Sequence, residues 1–392
     1  MTFTPLASDF YGFSNQLTDV ERDALTGLRA WLEAEVKPVV NDYWDRAEFP
    51  TQILPAFHQQ PVFGMQWDET KAFENSAVYR GWAALEMSRI DASISTYVGV
   101  QNGLALGAIA VTGSPEQRAE WLPKLAKGEV IGAFGLTEPL SGSDSAQGLR
   151  TTATRDGDEW VLNGEKRWIG NATWSDIVVI WAKDTADGQV KGFIVPTATP
   201  GYAATKIERK QSLRIVQNAD IVLTDVRVPE TLRLQNANSF RDTAAVLRLT
   251  RAEVAWSAVG VAIGAYEAAL AYANERIQFG KPIAAHQLVQ QHLAEMMGAI
   301  TACIAMCTRV SEMLDEGTQK DEHAALAKAY TTARMREIVA RAREIMGGNG
   351  IVLDYDAARF MADAEALYSY EGTREMNTLI VGRALTGKAA FV

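Results

Sequence analysis

Apolar residues recur at helical spacing at both ends of the chain and at strand-like spacing in its middle. Residues 18–130 read mainly as helix. Thr18-Asp19-Val20-Glu21 has the S/T-x-x-E form of a capping box, in which hydroxyl and carboxylate each accept from the other residue's backbone N–H. It opens a run through Leu25, Leu28, Leu32 and Val36 on one helix face, with Pro38 near its end. Gly113-Ser114-Pro115 begins another helix, which holds Trp121 and Leu125 and stops near Gly128. Between about 132 and 235 the runs become short and β-prone. Residues 151–154 and 160–162 flank Asp156-Gly157-Asp158, a hairpin signal, and Asn163-Gly164 reads as a second turn. Strands are also predicted over 176–181, over 192–195 ending at Pro196, and over 219–223.

From about 240 helices return. Residues 254–272 are apolar on most faces, as a bundle core or subunit interface requires. Leu293, Met297, Ile300, Ile304, Cys307 and Leu314 fall on one face of the next helix, with Gly317 as its stop. The order helical, β, helical predicts an α+β fold in three parts: an N-terminal helical domain over 1–131, a central β domain over 132–236 and a C-terminal helical bundle domain over 237–392.

The bulk numbers narrow the function. At 392 residues the chain exceeds the size at which single cores stop growing. No apolar run approaches the ~20 residues that span a bilayer, so no membrane is expected. Net charge is −10 without a basic stripe, which disfavours nucleic acid and leaves any anionic ligand in need of local positive charge. Met1 to Leu17 lacks the charged-then-apolar form of a secretory signal, and Ala389-Ala390-Phe391-Val392 is no peroxisomal address. Cys303 and Cys307, four apart, read as core filling and fit a reducing cytoplasm. His58, His286, His292 and His323 have no metal-ligand spacing, so no metal is expected.

Five segments carry the candidate chemistry. In Tyr370-Glu371-Gly372-Thr373 a carboxylate stands among Tyr368, Tyr370 and a glycine, just before a helical run. Alone, this tetrapeptide reads equally well as a helix-capping glutamate. Phe134 to Ser143, FGLTEPLSGS, has glycines that let backbone wrap closely on a ring, and hydroxyls and N–H groups for a polar ring edge. The others are Lys166-Arg167-Trp168-Ile169-Gly170-Asn171, Arg276-Ile277-Gln278-Phe279-Gly280-Lys281-Pro282 and the turn Gly347-Gly348-Asn349-Gly350. An arginine at a helix end suits bidentate binding of a pyrophosphate. It also suits simple capping of the helix C-terminus.

Together these segments resemble the acyl-CoA dehydrogenase family, over about Val20 to Thr386. The resemblance implies a helical domain, a β-barrel-like domain and a four-helix bundle, one FAD per subunit, and a homotetramer. Glu371 would take the α-proton of an acyl-CoA while hydride passes to flavin N5, giving the trans-2-enoyl-CoA. Such chemistry needs a placed, weakly solvated base and donors where enolate charge develops. The resemblance assigns Phe134, Leu136, Thr137, Gly142, Ser143, Trp168, Ile169, Gly170 and Thr373 to FAD. It assigns Arg276, Phe279, Gln287, Glu344, Gly347 and Gly348 to the FAD of a neighbouring subunit or its adenosine end. Ser143, Arg251, Tyr370, Gly372 and Ser95 would meet substrate.

The chain departs from the family pattern at four places. Gly170 stands where a Thr or Ser is usual, which removes a side-chain bond to flavin. Glu344 replaces a frequent Gln. Some relatives carry the base immediately before Arg251, taken here as the start of the long C-terminal helix. Thr250 occupies that place and cannot serve as a base. Glu253, read as facing another side of the helix, is the second candidate. The closest branches are glutaryl-CoA dehydrogenases and plant-type short-chain acyl-CoA oxidases. Aligned on Arg89-Ile90-Asp91, Ser95 replaces the arginine that pairs a glutaryl carboxylate, and burying that carboxylate unpaired costs several kcal/mol. An uncharged short, medium or branched acyl chain is expected. The electron acceptor is an electron-transferring flavoprotein or, in an oxidase, oxygen. A non-catalytic acyl-CoA-binding relative is a further alternative, which the retained Glu371 disfavours.

Overall fold

The computed structural model describes residues 3–389. Ala390, Phe391 and Val392 of the C-terminal reading lie outside the described residues. The N-terminal domain is built from α1 (Asp19–Trp31), α2 (Ala77–Ile90), α3 (Ala92–Thr112) and α4 (Pro115–Ala126), with short helical turns between α1 and α2. The predicted capping box forms: the Thr18 N–H donates to Glu21 Oε2 at 2.9 Å and the Glu21 N–H to Thr18 Oγ1 at 3.3 Å. Leu25, Leu28, Leu32 and Val36 are all buried, the last two on a π-helical turn over Leu32–Val36. Asp91 has an extended backbone that separates α2 from α3. Its carboxylate accepts from the N–H groups of Ser93 and Ile94 at 2.8 and 3.1 Å, starting α3.

The central domain is a seven-stranded sheet of β1 (Gly132–Gly135), β2 (Thr152–Asp156), β3 (Glu159–Gly170), β4 (Ile177–Asp184), β5 (Val190–Pro196), β6 (Tyr202–Lys206) and β7 (Asn218–Pro229). The order is β1-β4-β2-β3-β7-β6, with β5 on β4. β2 and β3 form the predicted hairpin, with Gly157 at φ 64°. Asn163-Gly164 is not a turn. β3 runs through it, and the register against β7 shifts there by a bulge that uses Gly164 at φ 147°. The Asn-Gly signal thus marks a bulge, where the Asn163 side chain donates to Asp225 Oδ1 and accepts from the Asp225 N–H. Gln101 ties sheet to helices. Its Nε2 donates to the carbonyls of Leu125 and Val130, and its Oε1 accepts from the Gly132 N–H that opens β1.

The C-terminal domain contains α5 (Phe240–Glu275), α6 (Gln287–Asp315), α7 (Asp321–Ile345), α8 (Ala357–Ser369) and α9 (Arg374–Thr386). Arg251 does not start α5. The helix begins at Phe240, where the Asp242 carboxylate accepts from the Ser239 N–H, and polar residues hide its first turns from an apolar count. α5 crosses α2 so closely that only glycine fits. A Cβ on Gly260 would stand 2.3 Å from the Leu85 carbonyl oxygen, and one on Gly264 2.3 Å from that of Arg89. One core therefore spans both helical domains, from Leu25 and Trp82 to Trp256, Ile300 and Phe360. On α6, Ile300, Ile304 and Cys307 are buried with Met296 and Cys303, whereas Leu314 is 38% exposed.

Contrary to the reading from contiguous runs, α3, α5 and α6 are each long and apolar enough to cross a membrane by length and composition. Scattered polar residues among Ala, Gly and Val interrupt the runs without lowering the mean. The apolar windows of α3 and α5 are 72% and 78% buried inside the protein, as core helices are, and that of α6 is 39% buried.

α8 is fixed to the N-terminal domain by charge. Arg359, 1% exposed, pairs with the fully buried Asp91 at 2.6 Å and Asp356 at 3.1 Å, and donates to Asn41 Oδ1 at 2.7 Å. Removing one member leaves the other charge buried and unpaired. Arg359→Met is expected to lower unfolding free energy by roughly 3–5 kcal/mol, read by urea denaturation of the purified protein. A loss below about 1 kcal/mol would show that the pair does not anchor α8.

Candidate active site

A cavity of about 850 Å³ opens between one side of the sheet and helices α3, α5, α8 and α9. Its sheet wall comes from β1, the loop after it and the end of β3: Phe134, Leu136, Thr137, Gly142, Ser143, Trp168, Ile169 and Gly170 all line it. Ser95, Arg251, Tyr370, Glu371, Gly372 and Thr373 line the helical side. Sequence reading and geometry agree on these fourteen residues sharing one space.

The loop after β1 is held by an ion pair that joins two of the motifs. The fully buried Lys166 ammonium lies 2.8 Å from Glu138 Oε1 and donates to the carbonyls of Leu136 and Trp181 at 3.2 and 2.7 Å. Glu138 in turn accepts from the N–H groups of Arg150 and Thr151 at 2.7 and 2.9 Å. Burial pushes Lys166 down to about 8 against the pull of Glu138. Glu138 and Lys166 thus set loop shape and leave the wall to their neighbours.

That wall suits a flat ring with a polar edge. Phe134, Leu136 and Ile169 give it an apolar face. Trp168, at φ 66°, stands 52% exposed, and a Cβ added at Gly142 would meet nothing within 4 Å. Asn171, one residue past β3, is buried with both amide atoms unpartnered. These residues fit a flavin. Gly170 has a steric reason of its own, because a Cβ there would press on Val100 Cγ2 at 3.3 Å.

Opposite the wall, the turn between α8 and α9 carries Glu371 at φ 53° and Gly372 at φ 84°. A non-glycine residue held in the left-handed region costs roughly 1–3 kcal/mol and needs outside support. Lys328, on α7 and 1.0% or less of the way to solvent at its surface, supplies it by donating to the carbonyls of both Tyr370 and Gly372. Burial pushes this ammonium down to about 7, while the charge of Glu371 works to keep it protonated. Sequence reading missed Lys328, because a lysine in mid-helix resembles a solvated charge. It also set Thr250 aside, yet the Thr250 hydroxyl donates to Glu371 Oε2 at 2.7 Å. Glu253 does not face away. It lines the same cavity as Glu371 and Arg251, because the cavity extends round α5.

Arg276, Phe279, Gln287, Glu344, Gly347 and Gly348 do not line this cavity. They lie exposed at the surface, and Phe279, at φ 52°, is 94% exposed on the tip of a two-residue-strand hairpin.

A sheet wall shaped for a flavin facing a supported carboxylate between helical domains defines a flavoprotein oxidoreductase. Family models for the acyl-CoA dehydrogenase N-terminal, middle and C-terminal domains match residues 18–129, 133–226 and 240–386. An acyl-CoA dehydrogenase of Bacillus subtilis is 32% identical over 92% of this chain and 96% of its own length. The short-chain specific mitochondrial enzyme of Mus musculus is 34% identical over 90% of this chain and 87% of its own. The structure of a glutaryl-CoA dehydrogenase from Mycobacterium smegmatis in complex with FADH2 superposes with a TM-score of 0.94, at 36% identity and covering 98% of both chains. The chain belongs to the acyl-CoA dehydrogenase family and is a FAD-dependent oxidoreductase.

The lysine clamp yields a measurable expectation. Each hydrogen bond to a charged donor contributes about 1.5–3 kcal/mol. In Lys328→Met, amide hydrogen exchange of the segment 366–378 should quicken about 10- to 100-fold. Lys328→Gln, whose amide still donates, should keep part of the protection. Unchanged exchange in the Met variant would exclude the clamp.

Proposed function

We propose that the protein catalyses α,β-dehydrogenation of an acyl-CoA thioester with Glu371 as the base. The observation that carries this reading is the Glu371 carboxylate, supported by Thr250 and Lys328 and set across the cavity from the Phe134–Ser143 wall. Bound FAD supplies the acceptor for the hydride leaving the β-carbon. Phe134, Leu136, Thr137, Gly142, Ser143, Trp168, Ile169, Gly170 and Thr373 would hold it. Glu371 removes the α-proton. The N–H groups of Glu371 and Gly372 donate to no protein acceptor among the described residues, so they are free to polarise the thioester oxygen. Arg251, unpaired among the described residues and lining the cavity, offers positive charge to the CoA portion, and the Ser143 hydroxyl offers it a hydrogen bond. Glu371→Gln should keep shape and ligand binding and lower the rate of anaerobic flavin bleaching by acyl-CoA at least ~10²–10⁴-fold. Near-normal bleaching would move the base elsewhere.

The acyl chain is short, medium or branched and lacks a terminal carboxylate. Ser95 supplies no cation at the cavity's acyl end, and the Glu253 carboxylate nearby would repel a second anion. Stopped-flow reduction should be faster with butyryl- or hexanoyl-CoA than with glutaryl-CoA. A preference for glutaryl-CoA with release of carbon dioxide would overturn this choice. Electrons pass onward to an electron-transferring flavoprotein, or to oxygen if the protein is an oxidase, and oxygen consumption separates the two.

The functional form is a homotetramer. Supporting this are the exposed Arg276, Phe279 and Gln287, the exposed Glu344, Gly347 and Gly348, and the exposed apolar surface of α6, where Leu288 is largely open to solvent. These six residues would complete the FAD site of a neighbour. Light scattering with flavin quantitation checks this, and a stable monomer holding one FAD per chain would contradict it.

A further inference from the structure

Glu253 is a cavity residue that the reaction above leaves without a task. Its two carboxylate oxygens lie against the π-helical part of α3, over a pair of glycines. A Cβ on Gly99 would stand 3.9 Å from Oε1, and one on Gly103 3.5 Å from Oε2. No backbone or side-chain group among the described residues donates a hydrogen bond to this carboxylate, and none forms an ion pair with it. Arg80 acts on it only at longer range, since its Nη1 donates to Asn75 Oδ1 at 2.8 Å and its Nη2 lies 3.9 Å from Asp315. Burial, with the charge of Glu371 adding to it, pushes the Glu253 carboxyl up to about 7.

The same cavity holds a second polar feature. Ser95 on α3 and Ser257 on α5, one helical turn beyond Glu253, are buried and share a hydrogen bond of 3.0 Å between their hydroxyls. Two hydroxyls offer two protons: their mutual bond uses one, and the Ala84 carbonyl, 3.5 Å from the Ser95 hydroxyl, takes the other, which leaves the serine oxygens as acceptors.

We propose that Glu253, with the Ser95–Ser257 pair, forms a polar acyl-tail subsite that selects acyl-CoA esters carrying a hydroxyl group on the distal part of the chain. An all-carbon tail would strip water from Glu253 and return no donor, which is unfavourable for a buried carboxyl group. A carboxylate tail would set like charges together. A hydroxyl donates to the Glu253 carboxylate or, when Glu253 is protonated, accepts from it and donates to a serine oxygen of the pair. A missing partner for a buried polar group is the kind of difference that discriminates substrates strongly.

This rests on the acyl-CoA reading, so the test separates the two. Pentanoyl-, 4-hydroxypentanoyl-, 5-hydroxypentanoyl- and glutaryl-CoA are compared by calorimetric Kd and by anaerobic flavin bleaching, in the wild type, Glu253→Leu and Glu253→Gln holoproteins. At least one hydroxylated ester should bind the wild type about tenfold more tightly than pentanoyl-CoA. That ratio should fall to near one in Glu253→Leu and stay intermediate in Glu253→Gln. Equal Kd values in the wild type, or a ratio that Glu253→Leu does not change, would overturn the subsite. Failure of every ester to bleach the flavin would instead overturn the dehydrogenase reading, while the Kd ratios still decide the role of Glu253.

Discussion

The left-handed backbone at Glu371 is the constraint on which the site depends. A side chain in that conformation is held, not relaxed, and three distant segments do the holding. Lys328 of α7 binds the carbonyls on either side of it. Thr250 of α5 binds its carboxylate. Arg359 of α8 ties the preceding helix to Asp91, the residue that also starts α3. The glycines at 260 and 264 then bring α5 and α2 close enough for those contacts to share one core. The carboxylate is therefore placed by the packing of five helices rather than by the four-residue turn that carries it.

Charge follows the same plan. Two carboxylates, Glu371 and Glu253, share the cavity with Arg251, while Lys328 stands behind the turn. Without the lysine, the two acids would face each other across a poorly solvated space, and one would resist ionisation. The lysine is spent on backbone carbonyls, so its charge sits near Glu371 without a direct salt bridge to the carboxylate. Glu253 has only the longer-range charge of Arg80 to set against its burial and the charge of Glu371, and its carboxyl is raised.

What could be read in the sequence was whatever depends on local geometry. The Thr18–Glu21 box, the hairpin at Gly157 and the stop at Gly317 each require particular residues at fixed offsets, and each forms. Glu371 and the Phe134–Ser143 wall were legible through the family resemblance of the combined motifs, since Tyr370-Glu371-Gly372-Thr373 alone reads equally well as a helix cap. Asn163-Gly164 misled because a bulge and a turn ask for the same positive-φ residue. Arg251 was placed at a helix start because the polar first turns of α5 carry no apolar rhythm. Lys328 and Thr250 were invisible because their partners lie 42 and 121 residues away in sequence.

The error over Glu253 shows how the width of the cavity decides which side chains it receives. Two residues separate it from Arg251, which on a helix is a turn of about 200°, so a narrow site would exclude one of them. The cavity is wide enough to admit both because α3 presents glycines, not side chains, at positions 99 and 103. A side chain at Gly103 would crowd Thr250 Cγ2 at 3.1 Å and, through it, the bond that Thr250 makes to Glu371. The small residues of α3, the acid of α5 and Ser95 therefore form one coupled choice. The turn and the wall are set by motifs that stand close together in sequence, whereas the shape and polarity of this end of the cavity come from two facing helices. Ser95 cannot be read alone, because Glu253 lines the same cavity.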